Sequence, residues 1–144
     1  MGGLELKDKG FSLIEVLVAM SILTVGILAV VSMQTTALKT QSRSKLSYQM
    51  QLIGQQIVER INANAVDDAS ILTYNNLKTS QPAPQDEPAK SDYNYFKSLI
   101  SKFNDTSVEI TVINTRPYPV KVRLYWKDGL YNHHLDFDTY ILPH

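Results

Sequence analysis

Glu15 is the side chain whose position most clearly calls for chemistry, because it is the only ionisable residue between Phe11 and Met33. About 20 consecutive apolar residues are enough to cross a bilayer as a helix, so this run qualifies as a membrane span. A carboxylate near the start of such a helix costs on the order of 2–3 kcal/mol on insertion, and residues of this kind usually mark function. We therefore expect Glu15 either to find a positive partner or to take up a proton.

A short charged segment, Met1 to Gly10, precedes the apolar run and ends in Lys9-Gly10. A secretory signal peptide has its small-residue cleavage site behind the apolar stretch, so the order here is different. Cleavage after Gly10 would leave the apolar helix at the new N-terminus, with a positive α-amine on Phe11 at about the depth of Glu15. The two residues lie one helical turn apart. They could pair within one helix, or between neighbouring subunits in a filament of staggered helices.

The type IV pilin signal is the family pattern that this junction resembles, over the residues Gly10-Phe11-Ser12-Leu13-Ile14-Glu15-Val16-Leu17-Val18-Ala19-Met20. The resemblance implies that a prepilin peptidase cuts between Gly10 and Phe11 and methylates the Phe11 amine. It also implies that Glu15 serves subunit assembly by pairing with the Phe11 amine of a neighbouring subunit. The alternatives are an ordinary membrane anchor with one stray glutamate, and a Glu15 that is a harmless interfacial residue.

His134, Asp136 and Asp138 form one cluster with the chemistry of metal ligands. On a strand these three side chains point the same way. A flat exposed face, however, lacks the enclosing shell that metal binding usually needs. We therefore interpret this cluster as a solvated strand face, and the sequence predicts no metal there.

Asp86, Glu87 and Asp92 form a second candidate, because carboxylate oxygens in a proline-rich stretch could bind calcium. They lack the ligand spacing and the glycine of an EF-hand, so we interpret this stretch as a mobile acidic loop. No glycine-rich phosphate loop, zinc-protease motif or nucleophile elbow occurs in the chain. The sequence therefore predicts neither an enzyme nor a cofactor.

The overall composition restricts the remaining classes of function. The chain has 144 residues, enough for one domain and an appended element, and its 14 basic residues balance its 14 acidic residues. A neutral chain has no field that favours nucleic acid. Cysteine is absent, which excludes disulfides, a cysteine zinc site and a thiol nucleophile. Many major pilins close their C-terminal region with a disulfide, so within the resemblance this absence favours a minor subunit.

The helical pattern continues beyond the apolar run, and no proline interrupts residues 12–64. Five apolar residues in the second half are spaced by four, three, four and four positions and share one helix face: Leu46, Met50, Ile53, Ile57 and Ile61. We predict one continuous helix, roughly 80 Å long, whose second half packs through this stripe on a soluble domain of its own chain. Gly54 marks either a close approach of that domain or a merely tolerated glycine.

The rest of the chain predicts a long polar connection over residues 62–92 and a short amphipathic helix over 93–103. Alternating apolar and polar residues then predict strands at 108–112 and 120–126. Between the two strands, residues 116–119 are expected to break the pattern.

Asp128-Gly129 is a strong hairpin signal, and the chain returns from it as a strand with Leu135, Phe137 and Thr139 on one face. The last five residues are predicted to be a tail. The predicted fold class is α+β: one long N-terminal helix, transmembrane in its first half, packed on a small antiparallel sheet, which is also the type IV pilin fold that the resemblance implies. The predicted organisation is a cleaved leader at 1–10, a membrane or filament-core helix at 11–34 and a globular domain at 35–144.

The segment Gln56-Ile57-Val58-Glu59-Arg60-Ile61-Asn62-Ala63-Asn64 looks like the helix of PilV-type minor pilins. This resemblance implies a subunit that joins other minor pilins near the filament tip and helps to start assembly. Its partners would be other minor pilins, the major pilin, the prepilin peptidase and the inner-membrane assembly platform. It would cross the inner membrane once, N-terminus inside, with the globular part in the periplasm or on the surface pilus.

Two other functions stay open from the sequence. A minor pseudopilin of a type II secretion system shares the signal, the helix and the small sheet. A single-pass membrane protein whose outer domain binds a ligand or acts as an enzyme belongs to a different class. An ordinary anchor of that kind should keep Met1 as its N-terminus, whereas the pilin resemblance predicts a methylated Phe11.

Overall fold

The computed structural model describes residues 10–143 of the chain. The predicted leader, residues 1–10, therefore lies outside the described residues except for Gly10. The helices and strands, in chain order, are α1 (Leu13–Asn64), α2 (Asp68–Leu72), β1 (Leu77–Lys78), α3 (Ala89–Ile100), β2 (Ser107–Val112), β3 (Tyr118–Asp128) and β4 (Tyr131–Ile141). The chain divides after Ser42 into two compact units.

α1 is one helix of 52 residues, which confirms the continuous helix predicted for residues 12–64. A helix of this length measures about 80 Å. Its first half, up to Ser42, belongs to the first unit, and every described side chain there is exposed. Its second half, from Arg43, belongs to the second unit and contributes one buried stripe to the core of that unit.

The second unit contains a four-stranded antiparallel sheet in the order β1-β2-β3-β4, which confirms the predicted α+β class. β3 begins at Tyr118, two residues before the predicted start. Pro119 lies inside the strand, and its carbonyl oxygen accepts a hydrogen bond from the amide of Ile113 at 3.0 Å. The predicted break therefore covers only the residues before Tyr118.

The β3–β4 hairpin turns one residue later than the Asp-Gly signal suggests. Asp128 pairs with Tyr131 in the ladder, so the two-residue turn is Gly129-Leu130. Gly129 has a φ of 61°, a left-handed conformation that glycine adopts without steric cost. The glycine was thus the informative half of the sequence signal.

The core of the second unit lies between α1 and the inner face of the sheet. Met50, Ile53, Ile57 and Ile61 are buried, and Leu46 is half-buried against the same cluster. The apolar residues of β2 and β3 complete this layer: Val108, Ile110, Val112, Val120, Val122, Leu124 and Trp126. Alternation with period two on the strands and the three-to-four spacing on the helix place both sets on facing surfaces.

Gly54 is the place where β4 comes closest to α1. A Cβ atom at this position would lie 2.1 Å from Cε2 of Phe137, well inside van der Waals contact. Of the two interpretations that the sequence left open, close approach is therefore correct. The absence of a side chain lets the Phe137 ring pack directly on the helix backbone.

The predicted polar connection over residues 62–92 is wrong in part, because it contains α2, β1 and the start of α3. α2 forms because Asp67 and Ser70 make a capping box: each side chain accepts a hydrogen bond from the other residue's backbone N–H. The helix predicted at 93–103 begins earlier, at Ala89, and ends at Ile100. Polar composition concealed these short elements from an analysis based on apolar periodicity.

The predicted C-terminal tail is also wrong in part. β4 continues to Ile141, which is paired with Tyr118 and buried, and Pro143 is buried as well. In the sequence, the alternation of apolar and polar residues along β4 ends with Ile141 as an isolated apolar residue. Only the partner strand shows that Ile141 belongs to the core.

Candidate assembly site at the start of the long helix

Gly10 and Phe11 lie just before α1, separated from its first residue by Ser12, and both are exposed. The Phe11 side chain is 85% exposed, and the ideal Cβ position of Gly10 has no neighbour within 4 Å. The bond that the sequence nominates for cleavage is therefore open to solvent on the side of the described residues. Nothing in the packing of the described chain would have to move for an enzyme to reach it.

Glu15 lies in the first turn of α1, where its carboxylate caps the helix. Its Oε2 accepts a hydrogen bond from the backbone N–H of Ser12 at 3.3 Å. The Ser12 carbonyl oxygen accepts in return from the amides of Glu15 and Val16, at 3.0 and 3.2 Å. A glutamate three residues after the capping position satisfies an otherwise free N–H and is favoured by the helix dipole. In the uncut chain this carboxylate thus has a local, neutral partner.

The helix behind Glu15 has the properties of a membrane span. It includes an 18-residue window with a mean hydropathy of 2.6, none of it buried within the described chain. The hydroxyl groups of Ser21 and Thr24 donate to the carbonyl oxygens of Leu17 and Met20, each at 2.8 Å. These bonds satisfy the hydroxyls within the helix, as apolar surroundings require. Glu15 is left as the one charged group of the span.

The other end of α1 carries a polar network around a buried carboxylate, which the sequence did not reveal. Asp92, on α3, is fully buried and accepts hydrogen bonds from Arg60 Nε at 2.8 Å, Asn64 Nδ2 at 2.7 Å and the Tyr74 hydroxyl at 2.5 Å. Because Asp92 is a helix residue with three donors, its assignment to a mobile acidic loop is wrong. The guanidinium of Arg60 also lies 5.2 Å from the centre of the Tyr95 ring, within cation–π range.

This network explains why α1 carries Arg60 and Asn64 so close to its apolar stripe. The two residues are four positions apart, so both face α3 and hold the same carboxylate. The hydrogen bond to Asp92 raises the pKa of the Arg60 guanidinium further, and burial raises the pKa of the Tyr74 hydroxyl well above its usual value. The helical spacing of Arg60 and Asn64 beside the apolar stripe could have indicated a polar contact at this end of α1. No sequence pattern indicated that Tyr74 takes part.

The outer face of the sheet carries paired charges. Arg123 forms two hydrogen bonds with the Asp136 carboxylate, at 2.6 and 2.7 Å, and Lys121 Nζ lies 3.4 Å from Asp138. The Arg123 guanidinium holds the pKa of Asp136 below its usual value. His134 lies on the same face and is exposed, so the structure places His134, Asp136 and Asp138 on one side of β4. Within residues 10–143, no group of three His, Cys, Asp or Glu residues is arranged to hold a metal ion.

A long apolar N-terminal helix joined to a small four-stranded antiparallel sheet is the α+β arrangement of the pilin fold. Residues 6–31 match the prokaryotic N-terminal methylation motif. This motif supports the pilin family, whose members are type IV pilins and pseudopilins and act as structural subunits rather than as enzymes. It also implies processing by a prepilin peptidase and handling by membrane assembly machinery. No curated protein and no solved structure gave a significant match to the chain.

Proposed function

We propose that this chain is a minor pilin of the PilV type, a structural subunit that joins other minor pilins to start the assembly of type IV pili and is incorporated near the tip. The observation that carries the proposal is the isolated carboxylate of Glu15 at the head of an exposed apolar helix, directly behind the Gly10-Phe11 junction. The major pilin and the inner-membrane assembly platform are its further partners. The subunit crosses the inner membrane once, N-terminus inside, before its globular part reaches the pilus.

Cleavage would change the electrostatics at the start of the helix. In the uncut chain Glu15 accepts one bond from the neutral amide of Ser12. Removal of residues 1–10 adds a positive amine on Phe11, so the end of the helix becomes a pair of opposite charges. In an apolar filament core, an unpaired carboxylate is costly, and the amine of a neighbouring subunit neutralises it. Pairing between subunits thus makes lateral association of the helices specific.

The absence of cysteine and the Gln56–Asn64 segment support a minor rather than a major subunit. Arg60 and Asn64 of that segment both bind Asp92, so the residues that resemble minor pilins fix α3 against α1. The tip location, and a pilus rather than a secretion pseudopilus, rest on the resemblance.

The test compares wild type with Glu15→Ala and Ser12→Ala in the native host. We expect mass spectrometry to find an N-methylated Phe11 at the start of all three mature chains. Glu15→Ala should be cleaved and inserted into the membrane. It should be absent from sheared pili and fail to start their assembly, because the Phe11 amine of the neighbouring subunit then has no carboxylate to pair with. Ser12→Ala, which keeps the backbone N–H that Glu15 binds, should assemble normally.

An uncut chain beginning at Met1 would contradict the pilin assignment itself. Normal piliation by Glu15→Ala would instead contradict the assembly role of Glu15, which is the main support for the proposed function, but not the processing of the chain. Recovery of the wild-type chain with a secretion pseudopilus, and never with surface pili or their initiating complex, would favour the pseudopilin alternative.

A further inference from the structure

β4 is a long, open edge of the sheet. It has 11 residues, whereas the opposite edge strand, β1, has two. Strands in globular proteins usually have about 5–6 residues, and short edge strands are one way in which proteins avoid pairing with other chains. Within the part of the chain that the structure describes, no strand pairs with the outer side of β4.

The backbone groups on this outer side are regularly placed. The two-residue turn makes Asp128 and Tyr131 the first pair of the β3–β4 ladder, and hydrogen-bonded pairs then alternate with non-bonded pairs. The N–H and C=O groups that point away from β3 therefore belong to every second residue: Asn132, His134, Asp136, Asp138 and Tyr140. They form a continuous row of donors and acceptors.

Three protections that edge strands often have, namely proline, lysine and a bulge, are missing from β4, and its charged side chains are Asp136 and Asp138. Residues 131–141 include neither proline nor lysine. The register with β3 runs without interruption from the pair Asp128–Tyr131 to the pair Tyr118–Ile141, so no bulge bends the strand. Acidic side chains also oppose edge pairing, but a strand with basic side chains at the facing positions is favoured rather than repelled. The edge is thus built in a form that accepts another strand.

The side chains next to this edge define what would fit. On the outer face, Asp138 is 65% exposed and Asp136 lies two residues before it. Tyr140 follows on the same face and, together with Ile113 and Pro119, lines a mainly apolar groove of about 480 Å³. On the inner face, Leu135 and Phe137 are only half-buried. On one face the edge therefore presents two carboxylates, which Arg123 and Lys121 approach from β3, followed by an aromatic group. On the other face it presents apolar groups.

We propose that the outer edge of β4 binds an extended segment of a different subunit as a fifth strand of the sheet. The segment would place basic side chains opposite Asp136 and Asp138 and an apolar side chain opposite Tyr140. Opposite charges in directly facing positions stabilise neighbouring strands. Main-chain hydrogen bonds would supply affinity, and the alternate side chains would supply specificity. The identity of the partner as a pilin-like subunit rests on the proposed function, whereas the strand addition does not.

A second copy of this chain is a poorer occupant. Antiparallel pairing of β4 with its own copy over the full strand length would centre on Asp136 and bring the two Asp136 carboxylates opposite each other. Like charges in directly facing positions are destabilising. Arg123 of the same chain binds each Asp136 and reduces this repulsion without removing it, and Asp138 is more exposed, so a basic partner fits this edge better than a second copy.

The test uses the full-length chain in detergent micelles and two short blocked peptides, one alternating lysine with valine and the other alternating glutamate with valine. We expect the lysine peptide to slow amide hydrogen exchange at the outward-facing amides of β4, measured by NMR. The glutamate peptide should bind about tenfold more weakly, since two facing pairs change sign. Asp138→Lys should weaken binding of the lysine peptide by about fivefold or more, and the charge-matched control Asp86→Lys, in an exposed loop, should not.

Protection of amides outside β4, equal affinity for both peptides or no binding by the lysine peptide would each overturn the proposal. Concentration-dependent protection of β4 without peptide would show that the occupant is a second copy, which also overturns it. If Asp138→Lys does not fold, the wild-type exchange pattern and the peptide pair still decide the result. No filament is needed for this measurement, so its failure is distinct from a failure of the proposed function.

Discussion

The two halves of α1 belong to one unbroken helix but are suited to different surroundings. Up to Met33 the helix is apolar on all sides, and up to Ser42 its described side chains are exposed. After Arg43 only one stripe is apolar, and that stripe is buried against the sheet. The first half has no core within the described chain, whereas the second half has its core already in place. An all-round apolar helix is stable only in lipid or among other helices.

This difference separates the residues that would select a partner subunit from those that determine the fold of the second unit. In the first half, the hydroxyls of Ser21 and Thr24 donate to carbonyl oxygens of the same helix, and under the proposed function Glu15 is the group that takes a partner from another subunit. In the second half, specificity comes from packing and from the Asp92 network, which are complete without a partner. Under the proposed function, assembly and folding therefore depend on different residues of the same helix.

The largest difference in stability between the two halves is expected when an isoleucine in each half is replaced by alanine. Ile57 is fully buried, so Ile57→Ala should lower the free energy of unfolding by about 2–5 kcal/mol through lost contacts and a cavity. Ile27 is 55% exposed, so Ile27→Ala should leave the unfolding of the second unit unchanged. Thermal unfolding of both variants in detergent, followed by the near-ultraviolet signal of Trp126, measures the difference. Equal losses of stability in Ile57→Ala and Ile27→Ala would contradict the distinction between a packed and an unpacked half.

A second, smaller effect is expected from the two glycines of the helix. Gly54→Ala would force Cβ against the Phe137 ring, so Phe137 or β4 must shift, at a cost on the order of 1–3 kcal/mol. The ideal Cβ position of Gly26 has no neighbour within 4 Å, and Gly26→Ala should stabilise the helix by up to about 1 kcal/mol. Denaturant titration in the same detergent should therefore show a lower free energy of unfolding of the second unit for Gly54→Ala and an unchanged one for Gly26→Ala, whose gain is confined to the first half of the helix. A loss of stability in Gly26→Ala would show that this part of the helix is packed after all.

The smallest effect concerns the Asp92 network and appears mainly at high pH. Tyr74→Phe removes one hydrogen bond, which should cost about 1 kcal/mol at neutral pH. The raised pKa of Tyr74 means that the folded state keeps the phenol protonated while an unfolded tyrosine ionises near pH 10. Its contribution to stability is therefore intact below about pH 10 and is lost as the pH rises above that value.

Melting temperatures of wild type and Tyr74→Phe, measured between neutral pH and pH 11, check this prediction. Wild type should lose more stability than Tyr74→Phe over the alkaline part of the range. Tyr48→Phe is the matched control, because Tyr48 also belongs to the second unit but is 61% exposed. A parallel alkaline decline in wild type and Tyr74→Phe would show that Tyr74 is not the group responsible.

Several features were predictable from the sequence because each depends on a local pattern, either a regular spacing of apolar residues or a single charged residue within an apolar run. The lone carboxylate, the absence of proline and the spacing of the apolar stripe indicated a single long helix with two different halves. Period-two alternation indicated the strands β2 to β4 and the inner face of the sheet. These signals need only neighbouring residues, because a helix or a strand fixes which side chains share a face.

The tertiary structure decided what depends on residues that are distant in the sequence. Asp92 is one acidic residue among several in a polar stretch, and only the meeting of α1, α3 and Tyr74 makes it a buried hub. The close approach at Gly54 depends on Phe137, which is more than 80 residues away in the sequence. The strand order decides that β4 is an edge of the sheet. Local patterns determine which faces are apolar, whereas the pairing of faces is chosen by packing and by the satisfaction of buried polar groups across the whole domain.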